Sequence, residues 1–349
     1  MLPKLRPVEE VLENTRLIVR LDLDVPMDNL QITDNSRLAK SVPTLKKLLN
    51  RGCRLVIIGH NGRPGGKVNS DYSLKRVYLE MVSLLDDNTG GRESVCLDDI
   101  NDTTSIDQAL ATMNLVFMEN LRFWPGEESN DPLFLQNIVE ITQGFVNDAF
   151  ATSHRVAASV MLWQKLPAFY GDNFIEEVKT IGKLREQVAR PLTIILGGAK
   201  EEKVGYIEGL SQAADQVLVG GRLPTLIPEE MRNRLNADKV IIGRLREDGL
   251  DITPETTAKF IEVINSSKSI VMAGAMGLFE KQESLEGTVA VARAVATNSG
   301  YKIAAGGDTG AVLMKFGLED KMDFVSSGGG ATLEYLIKGS LPAWGQEKN

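Results

Sequence analysis

The sequence predicts an α/β chain of two doubly wound parallel-sheet domains joined by a helix. Short buried-strand runs such as Leu17 to Leu23, Arg54 to Gly59 and Thr193 to Leu196 recur along it. In the second half an apolar run breaks into glycine repeatedly, at Val217 to Gly221, Ile270 to Gly277, Ile303 to Gly310 and Phe324 to Gly330, each followed by a stretch with helical character. At 349 residues the chain also exceeds the size at which one hydrophobic core keeps growing.

Composition narrows the function classes. A content of 43% hydrophobic and 25% charged residues is that of an ordinary globular protein. A formal charge of −8, with no basic stripe or tail, argues against nucleic acid and membrane surfaces as partners. Any anionic ligand must then be held by a few placed basic groups. Cys53 and Cys96 are too few for a disulfide framework and suit a reducing, cytoplasmic setting. Charges scattered through Met1 to Arg20 give no signal-peptide pattern, and no run of about 18 apolar residues predicts a membrane span.

Taken in order, Leu17 to Leu23 is a strand with Arg20 and Asp22 embedded near its end. Charges there are costly unless partnered, so the two either pair with each other or face a site. Arg37 opens a stretch to Asn50 of helical spacing, with Pro43 expected to bend or restart it and Gly52 placed to end it. Arg54 to Gly59 delivers His60, Asn61, Gly62 and Arg63 at its tip, either a solvated loop or an anion grip built from glycine backbone and guanidinium. Strands at Met113 to Met118 and Phe145 to Asn147 end in Arg122 and in Asp148 to Arg155. Arginine beyond one strand means little; Arg63, Arg122 and Arg155, with Arg37 at a helix start, predict a basic pocket for a small, highly anionic substrate.

An amphipathic segment from Phe174 to Val188 leads to Arg190-Pro191, where the proline marks a boundary. Beyond it, Thr193 to Lys203 reads as a strand, a Gly197-Gly198 turn and a helix carrying Lys200 and Lys203. Such an arrangement seats a phosphate, because glycines admit the anion and a helix start offers unpaired N–H groups. The spacing is neither Gly-x-x-x-x-Gly-Lys-Ser/Thr nor Gly-x-Gly-x-x-Gly. With the later glycine corners it predicts a nucleotide-sized anion site beyond the carboxyl ends of the strands. The expected divisions are residues 1–170 for the acid-binding domain, 171–190 for the linker helix, 191–331 for the nucleotide domain and 332–349 for a tail returning to the first domain.

Nine segments in register resemble the phosphoglycerate kinase family. In the first half these are Val19 to Pro26, Gly59 to Pro64, Glu119 to Phe123 and Val146 to Arg155. In the second they are Leu196 to Lys200, Gly249 to Ile252, Met276 to Glu280, Gly306 to Thr309 and Gly328 to Ala331. The resemblance implies two Rossmann-like domains that bend about a hinge, and reversible phosphoryl transfer from 1,3-bisphosphoglycerate to Mg-ADP in glycolysis and gluconeogenesis. By the motif, His60, Arg63, Arg122 and Arg155 would hold the 3-phosphate, with Asp22 and Asp24 orienting the glycerate. Arg37, Lys200 and the Gly328, Gly329 and Gly330 backbone would surround the phosphoryl group in flight. Asp308 would carry Mg2+, Thr309 a nucleotide phosphate and Glu280 the ribose. Gly221, Gly249 and Leu250 would line the adenine pocket, and Gly197, Gly198, Lys203, Gly306 and Gly307 would complete the ADP/ATP site. The family's usual state is a monomer.

This chain departs from the pattern mainly in its second half. Lys200 and Lys203 stand one residue closer than the family spaces its two lysines, which on a helix would still leave both facing phosphate. Met272 to Met276 replaces a stretch rich in Trp, Asn, Gly and Pro, Arg222 takes the place of a third glycine, and residues 222–248 are expected to lack about a helix and a strand. Ala273, Ala275 and Arg222 therefore leave the base preference open. The alternatives are a non-catalytic binding or regulatory relative and a kinase of altered nucleotide preference.

Overall fold

Parallel pairing governs the strand order, because the connecting segments return each strand in the same direction. In the computed structural model, which describes residues 4–85 and 93–344, the first six-stranded sheet uses β1 (Arg16–Leu21), β4 (Arg54–Ile58), β5 (Ser94–Leu97), β6 (Leu115–Met118), β7 (Gly144–Asp148) and β8 (Ala168–Tyr170). Its order is β5-β6-β4-β1-β7-β8, and every pairing is parallel. A small antiparallel hairpin, β2 (Met27–Asp28) with β3 (Gln31–Ile32), lies between β1 and β4 in the chain. Helices cover both faces. Leu17, Val19 and Leu21 of β1 join one core with Leu55 and Ile57, while Ile18 joins the opposite core with Val56 and Val116. By the same alternation Arg20 points into the second of these layers.

The second sheet uses β9 (Leu192–Leu196), β10 (Gln216–Val219), β11 (Val240–Ile242), β12 (Ser269–Ala273), β13 (Tyr301–Ala305) and β14 (Phe324–Ser326). Its order is β11-β10-β9-β12-β13-β14, again all parallel. The chain winds outward from β9 on one side and then from β12 on the other. The switch point therefore falls between β9 and β12, where such sheets bind ligands. Residues 222–248 hold two short helices, Leu223–Leu226 and Glu229–Arg234, together with β11.

The chain divides into two compact units, residues 2–178 with 340–349 and residues 179–339. The helix Asp172–Glu186 crosses the division. The tail expected from 332 begins later, at Ser340, because residues 332–338 belong to the helix Gly329–Lys338 of the second unit. That helix buries Leu333 and Leu336, and its Ile337 lies against Gly209 of the helix Ile207–Ala213. Within the first unit, Trp163 donates to the Pro342 carbonyl (2.8 Å) and Trp344 stacks edge-on against Phe174. The expected spans 1–170 and 332–349 also include residues 1–3, 86–92 and 345–349, which lie outside those described.

Pro43 does not restart its helix, which runs unbroken from Ser36 to Asn50. A proline removes one intrahelical donor, but burial of Leu38, Leu45 and Leu48 on both sides of it holds the segment helical.

Candidate functional site

In the first unit, the segments beyond β1, β4, β6 and β7 bring the expected basic pocket together around His60. Asp24 accepts from the Gly62 N–H (3.0 Å), which fixes the loop after β4 to the end of β1. Arg122 donates to the Gly62 carbonyl from the other side (2.7 Å) and lies 3.4 Å from Glu128. Asn120, buried, donates to the Asn61 and Tyr72 carbonyls and caps the turn that presents Arg122. Arg37, on the first turn of its helix, donates to the Asp24 carbonyl (2.6 Å).

The electrostatics show how tightly these cations gather. Burial, reinforced by Arg122, Arg20, Arg155 and Arg37, holds His60 well below its ordinary pKa, so its imidazole is neutral at pH 7. Burial likewise lowers Arg122, with Arg155 as the next cause, though the group remains charged. Asp22 is buried and pushed upward by desolvation, which Arg37 and the Ala151 N–H partly offset. Arg63 is exposed at its loop tip, and Arg155 is half-buried at the end of its segment.

Arg20 and Asp22 do not form a direct pair. The Arg20 guanidinium, 2% exposed, donates to the hydroxyls of Ser159 (2.8 Å) and Thr152 and lies 4.0 Å from Glu127. Glu127 in turn accepts from the Ser159 hydroxyl (2.6 Å) and N–H (3.0 Å). Asp22 accepts instead from the Ala151 N–H (2.9 Å). Both carboxylate and guanidinium thus brace residues 149–159, the segment that carries Arg155. Sequence reading missed Glu127, Ser159 and Thr152, whose only outward signal was a charged residue inside an apolar strand.

In the second unit, the expected glycine corners pack backbone against backbone at the switch point. Gly198 donates to the Ala275 carbonyl (2.8 Å), Gly197 to the Ala273 carbonyl (3.1 Å) and Arg222 to the Gly198 carbonyl (2.9 Å). Gly221, with φ +60°, sits so close that an added Cβ would lie 2.4 Å from the Gly198 nitrogen. Gly306 donates to the Ser326 carbonyl (3.1 Å), which sets the start of the helix Gly307–Phe316 beside the helix Gly329–Lys338. Two glycine-led helix N-termini and their free N–H groups therefore adjoin one another.

Lys200 and Asp308 are half-exposed, and their charged groups are 3.3 Å apart. Asp308 occupies the first turn of its helix. Among the described residues no cluster of three or more His, Cys, Asp or Glu side chains is placed to hold a metal. A magnesium ion takes one or two carboxylates and completes its shell with phosphate oxygens and water, so the single exposed carboxylate of Asp308 fits it, with the helix N-termini suited to the phosphates rather than to the ion. Gly249 and Glu280 are exposed, and Leu250 accepts from the Leu278 N–H through its carbonyl (2.8 Å).

Two residues depart from expectation. The turn after Gly198 is a 3₁₀ segment, Glu201–Tyr206, rather than an α-helix. It turns Lys203 inward, 8% exposed, to donate to the Gly197 (2.8 Å) and Ala273 (2.9 Å) carbonyls instead of facing phosphate. Burial pushes that ammonium down to a pKa of about 8, opposed by Asp308. Thr309, fully buried, accepts from the Gly274 N–H (2.8 Å) and donates to the Ala305 carbonyl (2.9 Å).

Comparison with known proteins covers both units. The family model described as phosphoglycerate kinase matches residues 8–234 and 228–339. A phosphoglycerate kinase of Moorella thermoacetica is 33% identical over 383 residues, covering 95% of each chain. One from Chlorobium luteolum is 33% identical over 385 residues, covering 95% of this chain and 96% of the relative. Among solved structures, phosphoglycerate kinase from Coxiella burnetii superposes with a TM-score of 0.72 at 29% identity over 97% of each chain. The Pyrococcus horikoshii OT3 enzyme gives 0.81 at 23% identity over the same shares, a likeness of fold.

Proposed function

The chain belongs to the phosphoglycerate kinase family, and on that premise we propose that it catalyses reversible phosphoryl transfer between 1,3-bisphosphoglycerate and ADP. The observation that carries this reading is that the family match spans both units, the basic pocket and the glycine corners alike. Arg37, Lys200 and Asp308 are all retained, whereas a relative released from catalysis would be free to lose them.

Phosphoryl transfer asks little covalent chemistry of a protein; it asks for in-line placement and for positive charge where negative charge spreads. His60, Arg63, Arg122 and Arg155 would hold the 3-phosphate. Neutral His60 would donate one hydrogen bond while the guanidinium forks supply the charge. Asp22 and Asp24 would orient the glycerate. Arg37 would neutralise the transferring group, with Lys200 and the N–H groups of Gly329 and Gly330 doing so from the nucleotide half. Gly197, Gly198, Gly306 and Gly307 would admit the nucleotide phosphates, Gly221, Gly249 and Leu250 the adenine, and Glu280 the ribose. Asp308 would hold Mg2+ with the nucleotide phosphates, and the ion would supply neutralising charge there. The protein would act as a cytoplasmic monomer with no nucleic-acid or membrane partner; no helix among the described residues is long and apolar enough to cross a membrane.

The test is ATP formation from 1,3-bisphosphoglycerate, ADP and magnesium by the purified chain, repeated with other nucleoside diphosphates. Turnover that needs all three components supports the assignment. No turnover with any nucleotide, in a protein that is folded, would refute it.

A further inference from the structure

We infer that Lys203 and Thr309 are positioning residues that clamp the Ala273–Gly274 peptide at the switch point of the second sheet, fixing the nucleotide seat without touching nucleotide phosphate. The inference rests on the reading that the glycine corners take the nucleotide.

The clamp is complete on both sides of one peptide unit. Lys203 donates to the Ala273 carbonyl at 2.9 Å, and the next residue's N–H, that of Gly274, donates to the Thr309 hydroxyl at 2.8 Å. The second Lys203 bond, to the Gly197 carbonyl at 2.8 Å, ties the same ammonium to the end of β9. Thr309 returns its own proton to Ala305 at the end of β13. Three adjacent strand ends, β9, β12 and β13, are thereby joined through two side chains.

Gly274 shows why the joint needs holding. Its φ is +122°, a conformation other residues rarely adopt, and an added Cβ would lie 2.3 Å from the Gly197 carbonyl oxygen. The peptide is thus held in an unusual conformation against a neighbouring backbone. It also leads directly into Ala275 and Met276, whose carbonyls accept from Gly198 and Gly221. Displacing the peptide would move the Gly197, Gly198 and Gly221 corners together.

Both side chains spend most of their hydrogen-bonding capacity on the backbone. Lys203 is 8% exposed with two of its three N–H bonds directed at carbonyls, and Thr309 is fully buried with its hydroxyl both donating and accepting. Lys200 precedes the 3₁₀ segment in extended backbone and remains half-exposed, while Lys203 lies within the segment and enters the corner.

The experiment compares Lys203→Met and Thr309→Val in the full chain by calorimetric titration with ADP and with adenosine, which has no phosphate. A displaced seat predicts that both variants weaken the two ligands by the same factor, about tenfold, the scale of leaving one buried polar group unsatisfied. Thr309→Ser, which keeps the hydroxyl, should restore wild-type affinity for both. Hydrogen exchange across residues 271–277 in the nucleotide-free protein should be faster in Lys203→Met and Thr309→Val and normal in Thr309→Ser. A loss of affinity confined to ADP would overturn the proposal in favour of direct phosphate contact. Lowered thermal stability with unchanged affinities and exchange would overturn it as well. A wild-type chain that binds neither ligand would instead refute the nucleotide reading, while the exchange data would still report the clamp.

Discussion

The first unit builds its candidate site from side chains, whereas the second builds its own from main chain. Around His60 the groups that meet are guanidinium and carboxylate, brought in on separate strand ends and one helix start and fastened by their own hydrogen bonds. At the switch point of the second sheet the groups that meet are glycine N–H groups and the carbonyls of neighbouring strand ends, close enough at Gly221 and Gly197 that an added Cβ does not fit. A guanidinium fork can hold two oxygens of a small rigid anion at fixed angles. A row of backbone donors instead offers many weaker contacts along a longer ligand. The two sites should therefore fail in opposite ways, one by truncation of a side chain and the other by addition of one.

The largest effect is expected where truncation strands a buried charge. Arg20→Met should lower folding stability by about 3–5 kcal/mol, because Glu127 remains buried without its cation; denaturant unfolding of the variant measures this. Arg37→Ala should leave the circular dichroism spectrum unchanged and lower turnover about 10²- to 10³-fold, the usual cost of one preorganised donor at developing charge. Unaltered turnover would remove Arg37 from the chemistry. In the second unit, Gly221→Ala adds only a methyl group but forces an alanine into a left-handed conformation at a cost of about 1–2 kcal/mol. The methyl would also press on the Gly198 nitrogen, so thermal unfolding should fall and KM for ADP should rise while KM for the acid substrate stays near wild type.

Smaller effects should follow pH in the first unit, with opposite signs. His60 is lowered by burial, so the unfolded chain takes up its proton first and stability falls as pH drops below about 6.5. His60→Gln should flatten that slope. Asp148 is raised well above the ordinary carboxylate value by burial, although the Phe174 N–H and the Thr44 hydroxyl support its charge. Its stabilising contribution is full below the unfolded value of about 3.9 and is lost as pH rises through the raised folded value. Asp148→Asn should therefore gain thermal stability relative to wild type as pH is raised from acid to neutral. The smallest change is expected from Gly310→Ala, inside the helix Gly307–Phe316, where an added Cβ meets nothing within 4 Å. Helix propensity alone should raise stability by about 0.5–1 kcal/mol there, so equal losses at Gly221 and Gly310 would defeat the contrast between a crowded and an open glycine.

The sequence by itself determined the architecture and the raw materials of both sites. Continuous apolar runs, their glycine breaks and the arginines just past strand ends are local patterns, and local patterns survive in a single chain read in order. Edge strands were harder to see. Residues 94–97 are only half-buried throughout, and residues 168–170 form a strand three residues long, so neither gives a clear period. What only the tertiary structure decided was the partner of each buried polar group. Arg20 finds Ser159 across 139 positions, and Lys203 finds the Ala273 carbonyl across 70. Spacing on a helix suggested that Lys203 faces phosphate, but desolvation favours whichever acceptors the packed corner places within reach, and those acceptors come from strands distant in the chain.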